Sequence, residues 1–212
     1  MPVPWDDDRP SDAALLASNV ARVLRGIADD AGGRLPPAID MARQWHRELY
    51  RGADLPVSYY AGEVRDSDPE FPELIDYEVR VGRHLGVFAR DVPAALVQFE
   101  YDLADAVAAV DGQLLGRGPI DATGLQNYVT LTAVAYGEWL RIHPFANGNG
   151  RTARLWTHWL AARYDLMPLL AVKPRPDDEL YADAASASMT SDHRAMRAWF
   201  LRLERGLRRD AW

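Results

Sequence analysis

Residues 143–154 read HPFANGNGRTAR, and this stretch decides how the rest of the chain is understood. A histidine stands directly before a proline, two glycines bracket an asparagine, and two arginines follow at a spacing of three. Pro144 disfavours helical backbone at His143, so a helix arriving from the N-terminal side must stop there. A glycine-containing loop that runs into a new helix exposes backbone N–H groups with no partner inside that helix, at the positive end of its dipole. Such an end binds anions, most often phosphate. Gly148 and Gly150 are expected to take positive φ and let the backbone approach a ligand closely. Asn149, between them, is expected to offer its side-chain amide to the same oxygens. Arg151 and Arg154 share a helix face, and their guanidinium forks suit phosphate oxygens and keep their charge at neutral pH. His143 is the candidate general base, because an imidazole ordinarily titrates near neutrality. Phe145 is expected to point inward and pin the loop.

Taken singly, each feature is what a tight turn between two helices would carry. Asn-Gly marks turns, and a histidine before proline is commonly structural. Their coincidence in one short window between two helical segments favours a site. A base on one lip, donors at the bottom and arginines on the other lip suit transfer of a phosphorus group to a hydroxyl.

Helical period dominates the flanks. SDAALLASNVARVLRGIADD, with Ser11 as the expected N-cap, places apolar residues at Leu15, Val20, Val23, Leu24 and Ile27 and stops at Gly32-Gly33. PPAIDMARQWHRELYRG has prolines at its start and Gly52 at its end, the usual order for a helix. Further helices are expected over 94–110, with Pro93 in the first turn, and over 124–142. The segment after the glycine turn, 176–190 and 193–208 complete the set. Between residues 55 and 90 prolines interrupt, and DYEVRVG alternates like an exposed strand closed at a glycine turn. The fold class is therefore mostly α, a helical domain interrupted by a β-hairpin near 76–88.

Composition narrows the function classes. The chain has 212 residues, 48% of them hydrophobic and 26% charged, which fits one large globular domain. A net charge of −7 argues against a nucleic-acid-binding role, which needs a basic stripe to displace counterions. No apolar run suggests a membrane span, and the acidic, proline-broken MPVPWDDDRP lacks the pattern of a signal peptide. The cytoplasm is the expected compartment, with secretion into another cell left open. Without cysteine there is no disulfide framework and no thiolate nucleophile. Lys173 is the sole lysine among 24 basic residues and is followed by proline, so no Walker A loop exists. His46 and His158 read as packing or surface residues, His84 as part of a solvated loop or a contact to a target, and Tyr181 as core or as a flank to a base.

The stretch closely resembles the signature of Fic-domain proteins, His-x-Phe-x-(Asp/Glu)-Gly-Asn-Gly-Arg-x-x-Arg, through His143, Phe145, Gly148, Asn149, Gly150, Arg151 and Arg154. YYAGEVR, residues 59–65, is similar to the Ala-Gly-Glu-x-Arg piece that precedes the family's flap hairpin, and DYEVRVG falls where that hairpin lies. The resemblance implies a Fic fold, a helical bundle with a β-hairpin flap beside the active-site helix–loop–helix. It divides the chain into an N-terminal helical extension, 1–36, and a Fic domain, 37–208. It further implies transfer of AMP from ATP to a Ser, Thr or Tyr hydroxyl of a target protein. His143 would be the base. Gly148, Asn149 and Gly150 would form the anion hole, Arg151 and Arg154 would hold the outer phosphates, and Val79, Arg80 and Val81 would dock the target. Transfer of UMP, phosphocholine or phosphate, or binding without turnover, are the alternatives.

Two departures from the signature matter. Asn147 stands where the family usually has a carboxylate for Mg²⁺. The ion would then be held mainly by the nucleotide, with Asn147 a weak ligand, and transfer would be slower. No Ser or Thr is followed four residues later by glutamate, so the family's inhibitory (Ser/Thr)-x-x-x-Glu-(Gly/Asn) helix is not expected in cis. Arg154 is then expected to be free, or covered by a separate antitoxin-like partner.

Overall fold

The computed structural model describes residues 3–116 and 120–210. Seven α-helices account for most of them: α1 (Ala13–Gly32), α2 (Ile39–Leu49), α3 (Val92–Leu114), α4 (Ala122–Ile142), α5 (Asn149–Arg163), α6 (Glu179–Ser188) and α7 (Arg194–Asp210). One short antiparallel hairpin, β1 (Arg80–Val81) and β2 (His84–Leu85), lies between α2 and α3.

The two helices that flank the HPFANGNG stretch form the centre. α4 packs against α3, α5, α6 and α7, and α5 is covered on its other sides by α1 and α2. Sequence explains the order. α4 buries Tyr128, Val129, Ala133, Tyr136, Trp139 and Ile142, and α5 buries Leu155, Trp156, Trp159 and Leu160. A helix apolar on most sides must be wrapped by its neighbours. Trp156 meets Trp45, Phe99, Trp139 and Trp159 edge-on, at centroid distances of 4.8 to 5.9 Å, an arrangement aromatic quadrupoles favour. α1 lays Val23, Ile27 and Ala31 into this same core.

Local signals hold with two adjustments. Asp121 caps α4 by accepting the Gly124 N–H at 2.7 Å, and Asp178 caps α6 through the Tyr181 N–H at 2.9 Å. Ser11 is not the cap of α1. It sits inside a 3-10 turn, Pro10–Asp12, and its hydroxyl points to Asp12. Pro36 and Pro37 likewise stand outside α2, which begins at Ile39 after an extended Ala38.

The hairpin is much shorter than the alternating pattern suggests. Pairing is confined to Arg80 with Leu85 and Val81 with His84, across a turn in which Gly82 takes φ +59°. Below it, the Gly86 N–H bonds to the Val79 carbonyl and the Val87 N–H to the Arg141 carbonyl, each at 3.1 Å. The chain therefore leaves the ladder to tie itself to the end of α4.

Candidate active site

His143 terminates α4 in the left-handed conformation, φ 54° and ψ 56°, uncommon for a residue with a side chain. Its own N–H bonds to the Trp139 carbonyl at 3.0 Å. Arg65 fixes the other side. Fully buried, it donates to the carbonyls of Tyr77, Val87, Ile142 and His143, each at 2.9 Å. Burial lowers its pKa to about 10, so the guanidinium stays charged. Four carbonyls at the meeting of α4 and the hairpin thus converge on one cation.

The proton on His143 follows from its partner. Nδ1 lies 3.1 Å from the Leu140 carbonyl. A carbonyl only accepts, so Nδ1 carries the hydrogen and Nε2 keeps its lone pair. Burial pushes the imidazole pKa down to about 4, against the opposing pull of that hydrogen bond, and the Arg65 charge adds to the lowering. The ring is neutral at physiological pH.

The loop itself required two corrections to the sequence reading. Gly148 takes φ +75°, and a Cβ there would fall 2.4 Å from the Tyr50 hydroxyl and 2.7 Å from His46 Nε2; only glycine fits. Gly150 is an ordinary helical residue in the first turn of α5, and an added Cβ would meet nothing closer than Arg154 Nη1 at 3.5 Å. Asn149 does not offer its amide to a ligand. It is buried, its Oδ1 accepts the Phe145 N–H and its Nδ2 donates to the Phe145 carbonyl, both at 2.9 Å. A buried amide must satisfy both ends, and Phe145, itself fully buried as expected, takes both. The anion donors that remain are the main-chain N–H groups opening α5.

Both arginines are buried. Arg154 Nε donates to the Val172 carbonyl at 2.7 Å, which orients its guanidinium at the cavity wall. Arg151 Nη1 pairs with the Asp7 carboxylate and donates to the Asp7 carbonyl at 2.9 Å and to the Tyr50 hydroxyl at 2.8 Å. Arg151 Nη2 lies 2.9 Å from Asp8 Oδ1, and Lys173 pairs with the same carboxylate.

One cavity of about 380 Å³ gathers these groups: His143, residues 147–151 and Arg154, the hairpin residues 80–82, and Asp7 and Asp8 at its rim. Tyr181 and Arg175 also line it. The Tyr181 hydroxyl bonds to that of Tyr136 at 2.8 Å and its ring lies 5.6 Å below the Arg175 guanidinium carbon, so it is core and cavity wall at once. Val79, expected to dock the target beside Arg80 and Val81, is instead buried at the hairpin base, against Gly86. His84 ties the hairpin to α6 through Ser186 Oγ at 2.8 Å. A larger apolar groove of about 540 Å³ between α3 and α4 shares no residue with this cavity.

Residues 36–161 match the profile of the Fic/DOC family. The chain belongs to the Fic/DOC family. Its fold is that of solved Fic structures. A Fic domain-containing signalling protein from Bacteroides thetaiotaomicron superposes with a TM-score of 0.62 at 18% identity, over 96% of this chain and 70% of that one. The N-terminal Fic domain of a Bartonella effector protein, described as a substrate of a VirB type IV secretion system, gives 0.56 at 16% identity, over 88% and 80%. No curated protein matches the chain in sequence.

Set against the Fic signature, the metal position is the weak one. Asn147 Oδ1 accepts the Gly148 N–H at 2.9 Å and Nδ2 donates to the Trp5 carbonyl at 2.7 Å. What Asn147 offers a cation is one neutral oxygen, already engaged. Among the described residues no group of three His, Cys, Asp or Glu side chains could hold a metal ion. These residues do not fit a resident Mg²⁺, which prefers several hard oxygens in octahedral order.

Five contributors escaped the sequence reading. His46, taken for packing, is fully buried: Nδ1 accepts the Gly62 N–H at 2.9 Å and Nε2 donates to the Asn147 carbonyl at 3.0 Å. Tyr50, Asp7 and Asp8 reach Arg151 from more than 100 residues away in sequence. Arg65 was part of the similar YYAGEVR segment, but its clamp was not foreseen. His158 is half-buried on α5. No helix among the described residues is long and apolar enough to cross a membrane.

Proposed function

We propose that the chain transfers AMP from ATP to a Ser, Thr or Tyr hydroxyl of a target protein. One observation carries this reading: His143 presents a proton-free Nε2 in the same cavity as the N-terminus of α5 and two buried arginines. The target hydroxyl would attack the α-phosphorus, forming the new O–P bond as the bond to the β-phosphate oxygen breaks. Nε2 would take the hydroxyl proton, and pyrophosphate would leave. The free N–H groups of α5 would meet charge growing on the α- and β-phosphates, with Arg151 and Arg154 at the outer phosphates. Arg80 and Val81 would align the target as an added strand on the short hairpin. Any Mg²⁺ would arrive with the nucleotide as part of the substrate.

Transfer of another phosphate-containing group fits the same cavity. Anion binding without turnover has its own support, because Asp7 and Asp8 already engage Arg151. Incubation with α-labelled and γ-labelled ATP, beside a His143→Ala variant, separates the readings. Label on protein from the α position alone, absent in the variant, is the expected result. Label from the γ position would make the protein a kinase, and tight nucleotide binding with no label would make it a binding module.

A further inference from the structure

The acidic segment at residues 5–8 forms part of the cavity rim and engages Arg151. Trp5 is buried against Tyr50, His46 and Tyr60 at ring distances of 4.7, 6.0 and 6.1 Å. Its carbonyl takes the Asn147 amide, the Val3 N–H bonds to the Tyr60 hydroxyl at 3.0 Å, and Arg9 Nη2 donates to the Asp54 carbonyl at 2.6 Å. Anchored on both sides, the segment presents two successive carboxylates to a single guanidinium, as two phosphate oxygens would be presented. Asp7 also accepts the Tyr50 hydroxyl at 2.7 Å.

Arg151 is nonetheless not saturated. Its Nε is buried with no hydrogen-bond partner, and an unmet buried donor of this kind costs free energy. The strap answers the charge of Arg151 but not its full donor geometry, whereas a phosphate group has enough oxygens to do so. Lys173 pairs with the same Asp8 carboxylate, so displacing Asp8 would free that ammonium together with Arg151.

We infer that residues 5–8 are an internal competitor for the anion end of this cavity, displaced when phosphate binds Arg151. The inference rests on the reading of the cavity as a phosphate site. It differs from inhibition through Arg154, because the contacts fall on Arg151 and come from aspartates in an extended segment. Coulomb repulsion between Asp7, Asp8 and an incoming polyphosphate forbids both from occupying the guanidinium together. The apparent affinity for anions is reduced by the fraction of chains whose strap is open.

Calorimetry with inorganic tripolyphosphate, and separately with ATP and Mg²⁺, tests this on the full chain and on an Asp7→Asn/Asp8→Asn variant. The variant should bind both ligands roughly tenfold more tightly, the gain expected if the open fraction is about a tenth. The gain should vanish when Arg151→Ala is added. Trp5→Ala, which frees the strap without touching its carboxylates, should raise affinity in the same direction and serves if the double variant does not fold. Hydrogen exchange at residues 5–9 of the wild type should quicken when tripolyphosphate is added. Unchanged affinity overturns the inference. Weaker binding of ATP with Mg²⁺ also overturns it, and makes the aspartates ligands of the nucleotide's cation. Absence of binding in every form removes the phosphate site itself, whereas tighter binding with no transfer of label leaves the strap standing and sinks only the AMP-transfer reading.

Discussion

The imidazole of His46 lies flat on the ring of Phe145, with centroids 3.8 Å apart and planes 13° from parallel. The stack couples α2 to the loop between α4 and α5. His46 also bonds Gly62 and Asn147 from its two nitrogens, so its tautomer is set: Nδ1 accepts and Nε2 donates. Replacing His46 with alanine removes the stack and both bonds. The expected loss is about 3 kcal/mol, the usual range for truncating a large buried ring, read as a fall in the urea midpoint. Affinity for tripolyphosphate should fall as well, because the loop loses its support. A variant with wild-type stability and wild-type affinity would show that the stack is incidental.

Acid should weaken the fold through the buried histidines. Burial pushes the His46 pKa down to about 3 and that of His143 to about 4, while in the unfolded chain both sit near the ordinary 6.5. Below that value the unfolded state binds protons that the folded state refuses. Stability contributed by the neutral rings is therefore complete above about pH 6.5 and is lost as pH falls toward 4 and then 3, at roughly 1.4 kcal/mol per pH unit for each ring. Urea midpoints at pH 7.0, 5.5 and 4.5 should fall progressively. In transfer assays the acid limb should lie near pH 4 rather than 6.5, at least as far as the fold survives. A flat stability profile over that interval contradicts the neutral burial of both rings.

The two glycines of the motif should behave oppositely. Gly148→Ala forces a side chain into left-handed backbone and drives Cβ against Tyr50 and His46, so both strain and overlap oppose it. A loss of about 2–4 kcal/mol is expected, with anion binding lost alongside. Gly150→Ala meets ordinary contacts only and should leave stability unchanged or raise it by up to about 1 kcal/mol, the helix preference for alanine. Thermal melts of the two variants decide it; equal losses would mean that both positions need glycine for the same reason.

These contrasts mark what was legible in the sequence and what was not. The helices were readable because hydrophobic period and proline stops are local: Pro144 ends α4, whereas the expected cap Ser11 lies inside a 3-10 turn and the true cap of α4, Asp121, was not singled out. The motif named the cavity for the same reason. The hairpin was over-read, since alternation in DYEVRVG reports exposure on two sides but not where Gly86 and Val87 turn to bond elsewhere. Asn149 was misassigned because a side-chain amide looks the same in sequence whether it meets a ligand or a backbone. His46, Arg65 and Asp7 act through pairings across long sequence separations, and no local pattern encodes those.

Arg65 gives a test of how the base is held. Four carbonyls converge on its guanidinium, and Glu78 lies 3.8 Å away as a partly exposed counter-charge. Lysine has three donors on a point charge and cannot span that fork. Arg65→Lys should therefore cost about 2–3 kcal/mol, the scale for leaving buried carbonyls unmet, and slow transfer more than it weakens nucleotide binding, because the loosened groups are His143 and the hairpin. A KM close to wild type with a reduced kcat is the expected split. An increase in KM alone would place Arg65 in binding instead.

Asn147 carries the last prediction. Aspartate there restores a charged oxygen to the position where Fic relatives usually have one, which should move half-saturation by Mg²⁺ to lower concentration. The same change removes the Nδ2 donor to the Trp5 carbonyl and sets a carboxylate against that oxygen, so it should also loosen the strap. The two effects separate by ligand. Tripolyphosphate without metal reads the strap against the repulsion of the added carboxylate, which lines the same cavity, so its binding should change little. The Mg²⁺ dependence of transfer reads the cation, and curves that coincide for wild type and Asn147→Asp would show that the amide at this position is not what limits the metal.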